Sequence, residues 1–239
     1  MLLGRKPVIA LLGVCCLLLT GCVYLRLLQL KNQIGHFERN FVVHTDEGVR
    51  IECRKPVLKT EDVRWFGLEP EVRTPGDDSE TWQVRWVKQL PPEVTEQGTY
   101  DIVLHLDFTD EKLRQLTIPE RYFEAMPKHL LIDLLRSLGG ARVDRDARAL
   151  EAQLATAAPD LPGIQRLLGR PSREIVTKEE TVYGYRYVPS TSRGLARSAV
   201  FDIAVHFENG TDRLKRWEGT TPVGKVGFTF EKGSEGVRK

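Results

Sequence analysis

Two stretches of the chain carry the same alternation of apolar and polar residues. Residues 100–113 read YDIVLHLDFTDEKL, and residues 201–214 read FDIAVHFENGTDRL. Apolar side chains occupy every second position at the centre of each stretch, which is the pattern of a half-buried β-strand. Upstream, TWQVRWV and VYGYRYV alternate in the same way and place their aromatic side chains on one face. The pattern predicts four strands, with the aromatic face in the core or, alternatively, serving as a ligand platform.

The two pairs of strands are related by a constant offset. Asp101 and Asp202 lie 101 positions apart. The same offset superposes further residues without a gap: His105 on His206, Arg85 on Arg186, and Val87 on Val188. An offset that is kept over about fifty residues, with like residues replacing like, indicates two copies of one structural unit.

Each unit is predicted to begin with a helix end closed by Gly and Pro, in RWFGLEP and QRLLGRP, and to end with a third strand in RQLTIP and KRWEGTT. Between the copies, residues 120–140 have Leu at helical spacing, and the Ala-rich residues 144–160 predict a second helix. In the first copy, a predicted helix over residues 23–41 corresponds to these two helices. A hairpin is predicted to follow it, in FVVHTDEGVRIECRKPV.

These elements predict an α+β fold with two related units, each made of helices packed on a three-stranded antiparallel meander. The first α+β repeat is expected over residues 45–120 and the second over residues 121–239. A membrane-proximal helix is expected over residues 22–44.

The N-terminal residues have the order of a secretory signal. Arg5 and Lys6 precede an uncharged run over residues 7–25. Within it, the letters LTGC ending at Cys22 resemble the lipobox of bacterial lipoproteins. We therefore expect a signal peptide over residues 1–21 and a fatty-acid anchor on Cys22. Because Val23 rather than Asp follows that Cys, the outer membrane is favoured over the inner one.

An uncleaved transmembrane helix is the alternative, since the same uncharged run is close to the length that spans a bilayer. Either anchor places residues 45–239 in the cell envelope, outside the cytoplasm. The periplasm is the expected compartment.

Charge and cysteine content argue against a nucleic-acid-binding protein and against a zinc protein. The chain has 35 Lys and Arg against 33 Asp and Glu, interspersed along its length, whereas nucleic-acid binding needs a concentrated basic face. Cys53 lies in an alternating segment and is expected to be a buried thiol. No spacing of Cys and His matches a zinc site. We therefore expect no cofactor, no metal and no nucleic-acid partner.

The two His residues are the candidates for chemistry. Asp101 and His105 share one face of a predicted strand, as do Asp202 and His206. A carboxylate beside a His can tune a base or bind a metal, which leaves an exported metal-dependent or hydrolase-like enzyme as one interpretation. No Ser or Cys nucleophile motif accompanies them. The other interpretation, which we prefer, is a solvated interaction surface formed by these four residues, without catalysis.

The second copy resembles a known family. IQRLLGRPSRE, YGYRYV and FDIAVHFENGTDRL, within residues 128–230, are similar to segments of the SmpA/OmlA family of small outer-membrane lipoproteins, the BamE-like group. The resemblance implies an accessory role in assembling β-barrel proteins or in envelope integrity, with envelope or outer-membrane proteins as partners. The family typically has one such domain, whereas this chain has two in tandem.

Overall fold

The computed structural model describes residues 23–144, 146–155, 158–197, 199–211 and 213–230. The expected signal peptide and the expected lipidation site, Cys22, lie outside these residues. Within the described ranges, no helix has the length and apolar character needed to cross a membrane.

Short helices alternate with a larger number of strands. The helices are α1 (residues 23–35), α2 (Phe37–Asn40), α3 (Thr60–Trp65), α4 (Lys128–Ser137) and α5 (Leu161–Leu168), with 3₁₀ turns at Glu120–Glu124 and Leu138–Gly140. The strands are β1 (Phe41–His44), β2 (Val49–Cys53), β3 (Val72–Pro75), β4 (Ser79–Gln89), β5 (Ile102–Thr109), β6 (Lys112–Ile118), β7 (Arg142–Asp144), β8 (Ala149–Leu154), β9 (Arg173–Val176), β10 (Glu180–Thr191), β11 (Gly194–Leu195), β12 (Phe201–Glu208), β13 (Arg213–Thr221) and β14 (Gly224–Phe230).

The strands of the described residues form one mixed sheet. Its 14 strands run in the order β1-β2-β6-β5-β4-β10-β12-β13-β14-β8-β7, while β3 pairs with β4, and β9 and β11 pair with β10. The prediction of two units, each with helices on a three-stranded meander, is therefore wrong. The meanders do not stand alone because β4, the outer strand of the first meander, pairs antiparallel with β10, the outer strand of the second.

The second predicted helix between the copies is also wrong. Where residues 144–160 were expected to be helical, β7 and β8 form an antiparallel pair, and β8 also pairs in parallel with β14. Ala152 and Leu154 are buried while Glu151 and Gln153 are exposed. This alternation fits a strand, and burial against β14 outweighs the helix propensity of the Ala residues.

The N-terminal segment follows its prediction more closely. Helical residues 23–35 and α2 are separated by a turn at His36, and Phe41 begins β1 instead of ending the helix. The predicted hairpin is present as β1 and β2, and Cys53 is buried in it as expected. Burial raises the pKa of the Cys53 thiol.

The core lies on the aromatic face of the sheet, as predicted. Trp82, Trp86, Tyr185 and Tyr187 are buried there. Apolar side chains of three helices pack against them: Val63 of α3, Leu130 and Leu134 of α4, and Ile164 and Leu168 of α5. A smaller cluster seats α1 and α2 over β2 through Ile34 and Phe37. The helices thus cover the aromatic face and leave the charged side chains on the other.

Candidate interaction surface

We call the face of the sheet opposite the helices the open face. Successive strand residues point to alternate faces, so the residues between the buried aromatic ones belong to it. The members used below are Gln83, Arg85, Val103, His105, Asp107, Arg186, Asp202, His206, Arg216 and Glu218. The candidate residues from the sequence lie on this face or, for Asp101, at its margin just before β5.

Asp101 is the partner of an arginine in the first repeat. It is buried, with 6% of its surface exposed. Its carboxylate accepts hydrogen bonds from Arg85 Nε at 2.9 Å and Nη2 at 2.5 Å, and from the backbone N–H of Lys88 at 3.0 Å. The hydrogen bond to Asp101 raises the pKa of Arg85. Asp101 therefore fixes the start of β5 to β4.

Asp202 makes the equivalent pair in the second repeat. Arg186 Nε donates to Asp202 Oδ1 at 2.9 Å, and Nη2 donates to Oδ2 at 3.3 Å. The hydrogen bond to Asp202 raises the pKa of Arg186. Here both side chains are exposed, at 59% and 44%. The repeat has preserved the ion pair while changing its burial.

His105 lines a cleft of about 420 Å³ on the open face. The cleft also includes Asp101, Gln83 and Arg121. Tyr122 is bonded to two residues that line the cleft: its hydroxyl donates to the carbonyl of Asp101 at 3.0 Å and accepts from the N–H of Val103 at 2.6 Å. One predicted His and one predicted Asp are thus brought together.

His206 lies in a different setting, within a row of carboxylate and basic side chains. Its Nδ1 is 3.1 Å from Glu180 Oε1, and its Nε2 is 4.0 Å from Glu218 Oε2. Arg216 continues the row, with Nε 2.7 Å from Glu218 and Nη2 3.1 Å from Glu151. Three carboxylates, Arg216 and His206 thus lie in a row over β10, β12, β13 and β8, so this half of the open face is lined by charged and polar side chains.

The two His residues do not occupy equivalent positions. His105 pairs with Gln83 and Thr117, whereas His206 pairs with Val182 and Arg216. The register of β12 with its neighbouring strands is shifted by two residues compared with the register of β5 in the first repeat. A shift of two residues keeps each side chain on the same face of the sheet. In consequence His206 takes the place of Asp107, and the superposition of His105 on His206 is not kept in three dimensions.

A second cleft was missed by the sequence argument. About 780 Å³ in volume, it is lined by residues of the loop between β4 and β5 and of the end of α5: Thr95, Glu96, Gln97, Tyr100, Gln165, Gly169 and Arg170. Beneath it Lys88 donates to both carboxylate oxygens of Glu96 at 2.9 and 2.8 Å. The side chains are 5% and 10% exposed, and burial lowers the pKa of Lys88.

Gly169 allows this pair to form. Its φ is +69°, and a Cβ there would lie 2.7 Å from Lys88 Nζ, so only glycine fits without displacement. The Gly was visible in the sequence as a helix terminator. Nothing in the sequence indicated that Glu96, from a distant loop, lies against it.

In the described ranges, no group of three or more His, Cys, Asp and Glu side chains is placed so that it could hold a metal ion. Comparison with known proteins gave no match, either to a family model, to a curated protein or to a solved structure.

Proposed function

We propose that the protein is a membrane-anchored lipoprotein of the bacterial cell envelope that acts as a non-catalytic binding or assembly module. Its open face holds a partner protein, and its N-terminal lipid keeps it on the periplasmic side of the outer membrane. The partners we propose are envelope or outer-membrane proteins.

The observation that carries this proposal is the arrangement of charge on the open face. Asp101 and Asp202, the carboxylates proposed for chemistry, are each held by an arginine. Across the second repeat, carboxylates, arginines and His206 contact one another on the open face, and their side chains are exposed or half-exposed. A broad surface of this kind recognises a partner through complementary charges, which set specificity and association rate more than affinity.

The sequence supports the membrane part of the proposal. The uncharged run over residues 7–25 and the LTGC motif are typical of an exported lipoprotein. The resemblance of the second repeat to the SmpA/OmlA family favours a role in assembling β-barrel proteins or in maintaining the envelope.

Site-specific photo-crosslinking in bacterial membranes tests the binding surface. A photoreactive phenylalanine analogue replaces Thr229 of β14 or Arg186 of β10, both exposed and both on the open face. The matched control places it at His129, which is exposed on α4 on the helical side. We expect a discrete crosslinked protein from the open-face positions and none from the control.

Two results would count against the proposal. Crosslinking from His129 alone would place the partner on the helical side. Absence of a crosslink from both open-face positions, with the full chain folded and present in membranes, would leave that face without a partner.

A further inference from the structure

Four large apolar side chains lie exposed on two helices, three of them on α1 at the start of the described chain and one on α3. Tyr24, Leu25 and Leu28 of α1 are 63%, 59% and 62% exposed, and Trp65 of α3 is 43% exposed. The rings of Tyr24 and Trp65 meet edge to face, with centroids 6.2 Å apart. Residues three and four apart lie on one side of a helix, so the α1 residues form a continuous strip. We call these four residues the apolar patch.

The patch is held rigidly by a buried ion pair. Arg26 Nε and Nη2 each lie 2.6 Å from a carboxylate oxygen of Asp62, which is fully buried. Asp62 also accepts from the backbone N–H of Lys59 at 2.8 Å. Separating such a buried pair is costly, so α1 is fixed to α3 and is not a loose tether.

The position of the patch in the chain indicates that it contacts the lipid bilayer. Tyr24 follows Cys22 by two residues, and two extended residues reach at most about 7 Å. A fatty acid on Cys22 therefore enters the bilayer beside Tyr24, and a membrane helix over residues 7–25 would include Tyr24 itself. Trp and Tyr are enriched at the membrane–water interface, where an apolar ring and a polar tip are both accommodated.

We propose that the apolar patch is a membrane-seating surface that rests on the bilayer holding the N-terminal anchor. Tyr24 and Trp65 enter the interfacial layer, and Leu25 and Leu28 contact the acyl chains. Because Arg26 and Asp62 lock α1 to the body, this contact fixes the orientation of the whole sheet relative to the membrane. The inference rests on the membrane anchor of the proposed function and adds a contact made by the folded body.

Quenching of tryptophan emission by brominated lipid tests the seating. The full-length lipidated chain is reconstituted into phosphatidylcholine vesicles with and without brominated acyl chains. Trp82 and Trp86 are buried in the core, and Trp217 packs against it, so bromine should reach Trp65 alone. We expect quenching in the wild type and its loss in Trp65→Phe.

A control variant places a tryptophan elsewhere on the surface. Val176 is 67% exposed and pairs with Thr181, near the start of β10. Arg64 of α3 lies over the ring of Trp82, near the start of β4. Because β4 and β10 are antiparallel, the start of β10 lies at the opposite end of this strand pair. Val176 is therefore far from α3 and Trp65. Val176→Trp in the Trp65→Phe chain should stay unquenched.

The possible results distinguish the membrane-seating proposal from the proposal of an N-terminal anchor. A wild-type chain that floats with the vesicles but shows no quenching, or quenching that persists in Trp65→Phe, would overturn the seating and leave the anchor intact. A chain that does not float with the vesicles would contradict the anchor and the seating together.

Discussion

Val87 of β4 and Val188 of β10 lie directly opposite each other, and each is the counterpart of the other in the repeat. Two equivalent residues meet in an antiparallel pair where a two-fold axis passes between them. The halves of the chain are therefore joined edge to edge through β4 and β10, in the way that two subunits join in a symmetric dimer, and the sheet continues across the axis.

The first prediction is that both halves unfold together. Val188 is only 5% exposed, so Val188→Asp places an unpaired carboxylate in a buried position and should cost at least about 2 kcal/mol of unfolding free energy. Urea denaturation, followed by tryptophan fluorescence and by circular dichroism, should show one transition that shifts as a whole. The exposed control Val176→Asp should change stability by less than about 0.5 kcal/mol. Two separate transitions, with only one displaced, would contradict a shared sheet.

The second prediction compares the two Arg–Asp ion pairs, which are equivalent in the repeat but differ in burial. Asp101→Asn removes the charge from a buried acceptor of three hydrogen bonds, and should lower the unfolding free energy by about 1–3 kcal/mol. Asp202→Asn alters an exposed pair and should cost less than about 1 kcal/mol. Thermal or urea denaturation of the two variants measures the difference. Equal losses at both positions would show that burial does not distinguish them.

The third prediction concerns a buried tyrosine. The Tyr187 hydroxyl has no hydrogen-bond partner among the described residues, so Tyr187→Phe should leave stability at pH 7 unchanged or raise it by about 1 kcal/mol. Burial raises the pKa of Tyr187 above its ordinary value of 10.0. Above pH 10 the unfolded chain loses this proton while the folded chain keeps it, and the stability therefore falls as the pH rises.

Tyr187→Phe should accordingly show a shallower loss of stability above pH 10 than the wild type. Urea midpoints measured from pH 7 to pH 11 give the two slopes. A clear loss of stability at pH 7, or an alkaline slope equal to that of the wild type, would show that the hydroxyl has a partner or ionises freely in the folded chain.

Local pattern was enough to predict much of this structure. The alternation of Trp82 and Trp86, and of Tyr185 and Tyr187, correctly placed these side chains in the core. The hairpin of β1 and β2 was likewise visible in the sequence. The pairing of β4 with β10 was not, because strand order depends on contacts between distant segments that no local pattern records.

Two errors have the same physical origin. Leu150 and Leu154 are compatible with a helix and with a strand, and only the presence of β14 beside them selects the strand. The two-residue slide of β12 preserves the inward and outward faces, so the hydrophobic pattern is the same in either register. His105 and His206 therefore match in sequence and differ in position.

The central claim, a membrane-anchored envelope lipoprotein, is tested most directly at Cys22. Bacteria producing the full chain are grown with a radioactive fatty acid, and the wild type is compared with Cys22→Ala. We predict a labelled wild-type chain in the membrane fraction, and a Cys22→Ala chain without label. Label that persists in Cys22→Ala, or an unlabelled wild type that nevertheless stays in the membrane, would contradict the lipid anchor.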